Sequence, residues 1–260
     1  MVIATFRFYA ELNDFLAPEH RGLAFEQVCA RAATAKHEIE ALGVPHTEVA
    51  MLLVNGAAAG LGHLLAQGDR VAVYPRFGHI LPDATASIQP PLPDPIRFIA
   101  DAHLGGLARL LRMAGFDTLY ENNFQDAEIE AIAGRDHRIV LSRDIELLKR
   151  RSLVHGAYVR TLKPAQQFRE IVERFRLRST HPFSLCLDCN APLRPISLEA
   201  AWHRIPPNIR ATHQCFSTCD VCERVFWEGS HWKSMQRLLA ETLQAAEATT
   251  APRTTSPDAE

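Results

Sequence analysis

The sequence predicts a multi-domain α/β chain of three modules: a small strand-rich unit, a parallel sheet with helices on both faces, and a short cysteine module held by metal. Three observations point there. Residues 1–78 read strand, helix, strand, strand. From Ile96 onward, strands and helices alternate across short connections, the pattern of a parallel sheet. Five of the six cysteines lie between Cys186 and Cys222, and four of them form two C-x-x-C pairs.

Composition narrows the class. The 260 residues are 47% hydrophobic and 22% charged, which excludes a mainly disordered or fibrous chain. No run approaches the roughly 18 apolar residues of a membrane helix. The opening MVIATFRFYAELND carries charge early and has no apolar core of a secretion signal, so a cytoplasmic location is expected and no membrane partner.

In the first module (1–78), VIATFRFY alternates and is rich in β-branched and aromatic residues, so it is a strand. Leu23 to about Leu42 reads as a short strand entry and then a helix, stopped near Gly43-Val44-Pro45. Residues 48–54 form a strand closed by the turn pair Asn55-Gly56, and 69–74 a last strand ending at Pro75. Residues 79–95 hold five prolines and predict a stiff linker.

The second module covers 96–180. IRFIA, FDTLY, RIVLS and GAYVR are its strands. Between them fall a helix with Leu104, Leu107, Leu110 and Leu111 on one face, a helix from Gln125 to Ala133 and the helix IELLKRR; a basic helix from Pro164 to Phe175 follows. Gly105-Gly106 would let backbone come close to a ligand or to the sheet. The cysteine module and a C-terminal helix beginning at Ser230 occupy 181–246, and 247–260 is a polar tail expected to be disordered.

Cys186-Leu-Asp-Cys189 and Cys219-Asp-Val-Cys222 stand 29 residues apart. Such turns each bring two thiolates to one ion, and four thiolates suit a structural zinc (Zn2+) in a closed tetrahedron. A unit this short in apolar residues needs such a staple. Cys215 could compete as a ligand, but the C-x-x-C spacing favours Cys219 with Cys222.

Ligands of open parallel sheets bind beyond the carboxyl ends of the strands. Asp101 follows IRFIA and Asp144 follows RIVLS, so both should face one crevice, with Asp126 or Glu128 able to reach it. Converging carboxylates repel unless a hard cation such as Mg2+ or Mn2+ lies between them. The competing reading is local, because Asp is also a favoured helix N-cap. From Arg135 to Arg178 there are 12 Lys and Arg against 5 Asp and Glu, while residues 1–78 hold 6 against 8. A basic flank beside acidic strand ends fits a polyanion. Its candidate phosphate contacts are Arg109, Arg112, Arg143, Lys149, Arg150, Arg151, Arg160 and Lys163.

Three stretches, FIADAHLGGLARLLRMAGFDTLY, RIVLSRDIELLKR and CDVCERVFWEGSHWKSM, together resemble the Mut-seven carboxy-terminal (Mut7-C) RNase domain family. The resemblance spans roughly 96–235 and implies a PIN-like, Rossmannoid nuclease fold with an appended zinc ribbon. FRFYAELNDFL, LLVNG and GDRVAVYP resemble the ubiquitin-like β-grasp domain that precedes such nucleases. The last of these runs into YPRFGHILPD without the Gly-Gly of sulfur carriers, so a docking or regulatory role toward a protein partner is expected instead. The resemblance implies metal-dependent cleavage of RNA, with Asp101 and Asp144 at the family's acidic positions and Asp126 or Glu128 at a third. The alternative is a non-catalytic RNA-binding adaptor that uses the zinc ribbon and the basic helix.

Overall fold

The computed structural model describes residues 1–76, 87–179 and 181–250, with side chains to 245. It divides into two compact units, one of residues 1–108 with 117–160 and one of 109–116 with 161–260. The expected tail at 247–260 falls mostly outside the described residues, as does the 79–86 part of the linker.

The first unit holds two sheets. In the first, β1 (Val2–Phe8) buries Ala4, Phe6 and Phe8 on one face, as its alternation requires. It forms an antiparallel hairpin with β2 (Ala24–Cys29), with Phe6 opposite Phe25. It also pairs in parallel with β5 (Arg70–Pro75). β3 (Val49–Val54) joins antiparallel to β5, and the two-residue β4 (Ala57–Ala58) completes the order β2-β1-β5-β3-β4. Asn55 and Gly56, at φ 53° and 84°, make the tight turn between β3 and β4. Helix α1 (Ala35–Ala41) lies across the sheet and starts at Thr34, whose hydroxyl accepts the His37 N–H at 3.2 Å. Gly43 follows at φ 103°, where a Cβ would stand 2.7 Å from the Phe15 carbonyl oxygen. This is the β-grasp architecture, with Phe6, Phe8, Leu12, Ile39, Leu52 and Val73 in its core. It differs from expectation at 24–29, where a six-residue strand replaces a short entry to the helix. The reason is pairing: β1 needs an antiparallel partner along its length.

The second sheet is all parallel, in the order β7-β6-β8-β9, from β6 (Phe98–Ala100), β7 (Thr118–Leu119), β8 (Ile139–Ser142) and β9 (Gly156–Tyr158). Its central strands are buried on both faces, hence continuous apolar runs. Helix α2 (Gly105–Met113) follows β6, α3 (Asp126–Asp136) follows β7, and α4 (Ile145–Leu148) follows β8. Ile129, Ala133, Leu147 and Leu148 pack with Ile99 and Val140. α4 is shorter than IELLKRR predicts. The space beside Gly105 is taken by Tyr120, 2.7 Å from where a Cβ would be, rather than by a ligand.

The described part of the proline-rich segment packs on the protein rather than standing clear of it. Ser87 bridges Met51, the Ile88 N–H bonds the Ala50 carbonyl at 3.0 Å, and Gln89 Nε2 donates to the Thr47 carbonyl at 2.7 Å.

In the second unit, α5 (Pro164–Phe175) and α8 (Ser230–Thr250) are in contact. A three-stranded antiparallel sheet, β10 (Leu193–Ile196), β11 (Phe216–Cys219) and β12 (Val225–Trp227), has β11 at its centre. Short helices α6 (Leu198–Ala201) and α7 (Pro207–Thr212) fill the long β10–β11 connection. Only Ala201, Ile205 and Phe216 are fully buried in that cluster, a small core for so long a segment. No helix among the described residues is long and apolar enough to cross a membrane.

Candidate metal centres and acidic strand ends

The two C-x-x-C turns are built alike. After Cys189 the chain turns through Asn190 at φ 63°, and after Cys222 through Glu223 at φ 57°. Asn190 N–H bonds the Cys186 carbonyl at 2.9 Å, and Glu223 N–H bonds the Cys219 carbonyl at 2.8 Å. β11 ends on Cys219, opposite Leu193 of β10, so the small sheet carries one turn to the other. The sulfurs of Cys186, Cys189, Cys219 and Cys222 all lie within 4.8 Å of one another, and those of Cys186 and Cys222 are 3.7 Å apart. Among the described residues this is the only such gathering of three or more His, Cys, Asp or Glu ligand atoms. Cys215 is exposed and outside it; Cys29 is buried in the β-grasp core.

Two of these thiols do not ionise easily without an ion. Burial and the neighbouring sulfurs push Cys189 up to about 12, and burial raises Cys186. At Cys219 burial also acts upward, but backbone N–H groups at Cys222 and Val221 outweigh it and the thiol falls below its ordinary value. Four soft donors, steadied by backbone amides and crowded enough to need a cation, fit a metal such as zinc.

Arg112, expected as a phosphate contact, belongs to this centre instead. It is 3% exposed, and its Nη1 donates to the carbonyls of Leu187 at 3.0 Å and Asp188 at 2.8 Å. A cation this buried must spend its donors on the protein. Arg109 pairs with Asp188 at 3.0 Å, and Arg224 pairs with the same carboxylate. Arg112→Met is expected to cost about 1–3 kcal/mol, the penalty of orphaned part-buried carbonyls. It should also speed metal release from the first turn. Thermal unfolding and the rate of zinc capture by a chromogenic chelator measure the two effects.

At the carboxyl ends of β6 and β8 the structure brings Asp101 and Asp144 together through one side chain. Ser142 Oγ donates to Asp101 Oδ2 at 2.7 Å and accepts the Asp144 N–H at 2.8 Å. Asp101 Oδ1 accepts the Ala102 N–H at 2.6 Å, and Asp144 Oδ1 accepts the Glu146 N–H at 2.8 Å. Both residues therefore cap helical turns, yet neither forms an ion pair with any described residue. Ser142, fully buried, was not among the residues the sequence singled out, although it opens the S-R-D motif.

Asp126 and Glu128 do not join them. Asp126 pairs with Arg150 at 3.3 Å. Glu128 accepts the Gln125 N–H at 2.8 Å in a capping box, so Gln125, not Asp126, caps α3. Most of the expected basic flank is likewise committed. Arg150 also holds Glu130, which the Ser152 hydroxyl and this guanidinium keep below the usual carboxylate range. Lys149 pairs with Glu146 at 2.9 Å. Arg143 donates to the Val159 and Arg160 carbonyls, and Arg160 pairs with Glu48 and Asp14. Arg151 and Lys163 are exposed and form no ion pair among the described residues.

Fold and sites together define a chain with a ubiquitin-like domain, a parallel-sheet domain with two strand-end carboxylates, and a cluster of four cysteines that could hold a metal such as zinc. The Mut7-C RNAse domain model matches residues 96–239, and the Mut7-C ubiquitin model matches residues 1–80. The chain belongs to the Mut7-C RNAse domain family, with the family's ubiquitin-like domain at its N-terminus, and this supports a ribonuclease-like function. Two solved structures of the small archaeal modifier protein 1 (SAMP1) from Haloferax volcanii are similar to part of it. Each is 22% identical at a TM-score of 0.24 over 29% of this chain, covering 98% of one and 96% of the other. No curated protein matches.

Proposed function

We propose that the chain is a metal-dependent ribonuclease that hydrolyses RNA phosphodiester bonds at Asp101 and Asp144. One observation carries this reading: a serine hydroxyl links the Asp101 carboxylate to the Asp144 backbone N–H at adjacent parallel strand ends, and neither carboxylate has a counter-cation among the described residues. Each carboxylate oxygen has two lone pairs, so the N–H and O–H bonds that orient these groups leave capacity for a cation. A divalent Mg2+ or Mn2+ held there would activate water and offset charge on the phosphodiester. Ser142 ties the Asp101 carboxylate to the Asp144 backbone, and the Ala102 and Glu146 N–H groups orient the two carboxylates. Arg151 remains as a phosphate contact. Zinc on the four cysteines is structural in this reading, and no step passes through it.

The adaptor reading keeps one observation of its own. A concave space of about 1550 Å³ in the second unit is lined by Phe183, Phe226, Trp227 and Trp232, with Arg224 and Lys233 among its cations. Aromatic faces and cations suit stacked single-stranded RNA. Purified protein incubated with single-stranded RNA and increasing Mn2+ or Mg2+ separates the two readings. The nuclease cleaves in proportion to site occupancy and stops when the added ion is withdrawn, zinc content unchanged. Tight binding with no cleavage under any divalent ion would move the chain to the adaptor class.

A further inference from the structure

The ubiquitin-like domain places a buried carboxylate on the edge of the parallel sheet. Glu48 ends the turn before β3 and is 1% exposed. β9 is an edge strand, with β8 as its only sheet neighbour among the described residues. An edge N–H must find its partner outside the sheet. The Tyr158 N–H finds Glu48 Oε1 at 2.7 Å, while Glu48 Oε2 meets Arg160 Nη2 at 3.2 Å. Arg160 also lies over the rings of Phe15 and Tyr158, 5.3 and 5.8 Å from their centroids. From the other side the same stretch is held by the S-R-D loop. Val159 N–H bonds the Ser142 carbonyl at 2.8 Å, and Arg143 Nη1 donates to the carbonyls of Val159 at 3.0 Å and Arg160 at 2.9 Å. Thr47 and His46, in the same turn as Glu48, reach the Leu148 and Leu153 carbonyls.

We propose that Glu48 is a positioning residue for the Ser142–Arg143–Asp144 loop, so that the ubiquitin-like domain acts as a built-in clamp on the acidic strand ends. Residues 158–160 are the link: Glu48 anchors them, and Arg143 and Ser142 take their own position from them. The activity arm of this inference rests on the nuclease reading; the positional arm does not.

The test uses the full chain with Glu48→Gln, which keeps an acceptor for Tyr158 but removes the charge facing Arg160, and Glu48→Ala, which removes both. Amide hydrogen exchange is followed well below each variant's unfolding transition. Glu48→Ala is expected to speed exchange about tenfold or more at residues 143–145 and 158–160, with β1 unchanged, and Glu48→Gln to fall between it and the parent. RNA cleavage should lose about tenfold in kcat with KM unchanged, as when a supporting contact of a metal ligand is removed. If Glu48→Ala fails to fold, Arg160→Gln and Glu48→Gln give the same readings. A lower Tm with unaltered exchange at 143–145 would overturn the inference and leave Glu48 as simple interface packing. If Asp144→Asn cleaves RNA as the parent does, the nuclease reading fails, and the exchange at 143–145 still decides the positional claim.

Discussion

Asparagine at Asp101 or Asp144 is expected to reduce RNA cleavage by at least about 100-fold while costing the fold under about 1 kcal/mol. The contrast follows from the hydrogen bonds. At 144, asparagine keeps an oxygen to accept the Glu146 N–H, so α4 stays capped. At 101, an amide can still accept from Ala102 with its oxygen and donate to Ser142 with its nitrogen. The serine hydroxyl then accepts twice, which its two lone pairs allow. What disappears is charge, which capping does not need and a divalent cation does. Ser142→Ala removes the bridge and one hydrogen bond to Asp101 but leaves both carboxylates in the chain, and should fall between, with a loss of about 10–100-fold. Initial rates on single-stranded RNA at saturating Mn2+, beside thermal unfolding of each variant, read the series. Equal activity across all three variants would mean that the carboxylates are caps and nothing more.

The parts of this architecture that sequence reveals are those with local causes. IRFIA and RIVLS are unbroken apolar runs because strands inside a parallel sheet are buried on both faces. The residue after each run is bound to sit at the ligand-binding edge, which is how Asp101 and Asp144 were legible. The C-x-x-C turns are local for the same reason: four residues contain the whole device. Cations are different. Arg112, Arg143 and Arg150 look alike as candidate phosphate contacts, but their partners lie up to 76 residues away in the chain. No periodicity records that Arg112 braces a cysteine turn or that Arg150 neutralises Asp126. The same holds for Glu48, a polar residue beside a strand whose partners are 110 and 112 residues away. The proline-rich run before Ile96 carries the composition of a spacer, while its described end hydrogen-bonds to β3 and the turn before it. Composition reports stiffness, and whether a stiff segment stands free depends on a surface elsewhere that accepts it.

Serine at Cys186 or Cys219 is expected to abolish stoichiometric zinc and unfold the cysteine module. The two are chosen because they are the buried pair of the four. The module has little else to hold it: three fully buried apolar side chains and a three-stranded sheet with strands of three or four residues. A structural zinc contributes about 10–16 kcal/mol in small domains, more than so few side chains supply. The loss should be local, since the β-grasp sheet has a separate core around Phe6 and Phe8. Cys215→Ser, outside the cluster, should keep one zinc per chain. Acid should imitate the damaging substitutions. Each ligand must shed a proton to bind, and burial with neighbouring sulfurs pushes the Cys189 thiol up to about 12 in the absence of an ion. Lower pH therefore favours the protonated, metal-free state, and zinc retention falls as pH falls. Elemental analysis after dialysis over a pH series, with far-ultraviolet circular dichroism on the same samples, follows metal and fold together. Wild-type protein with no zinc at neutral pH and an intact module would show that the four sulfurs are held together by packing alone.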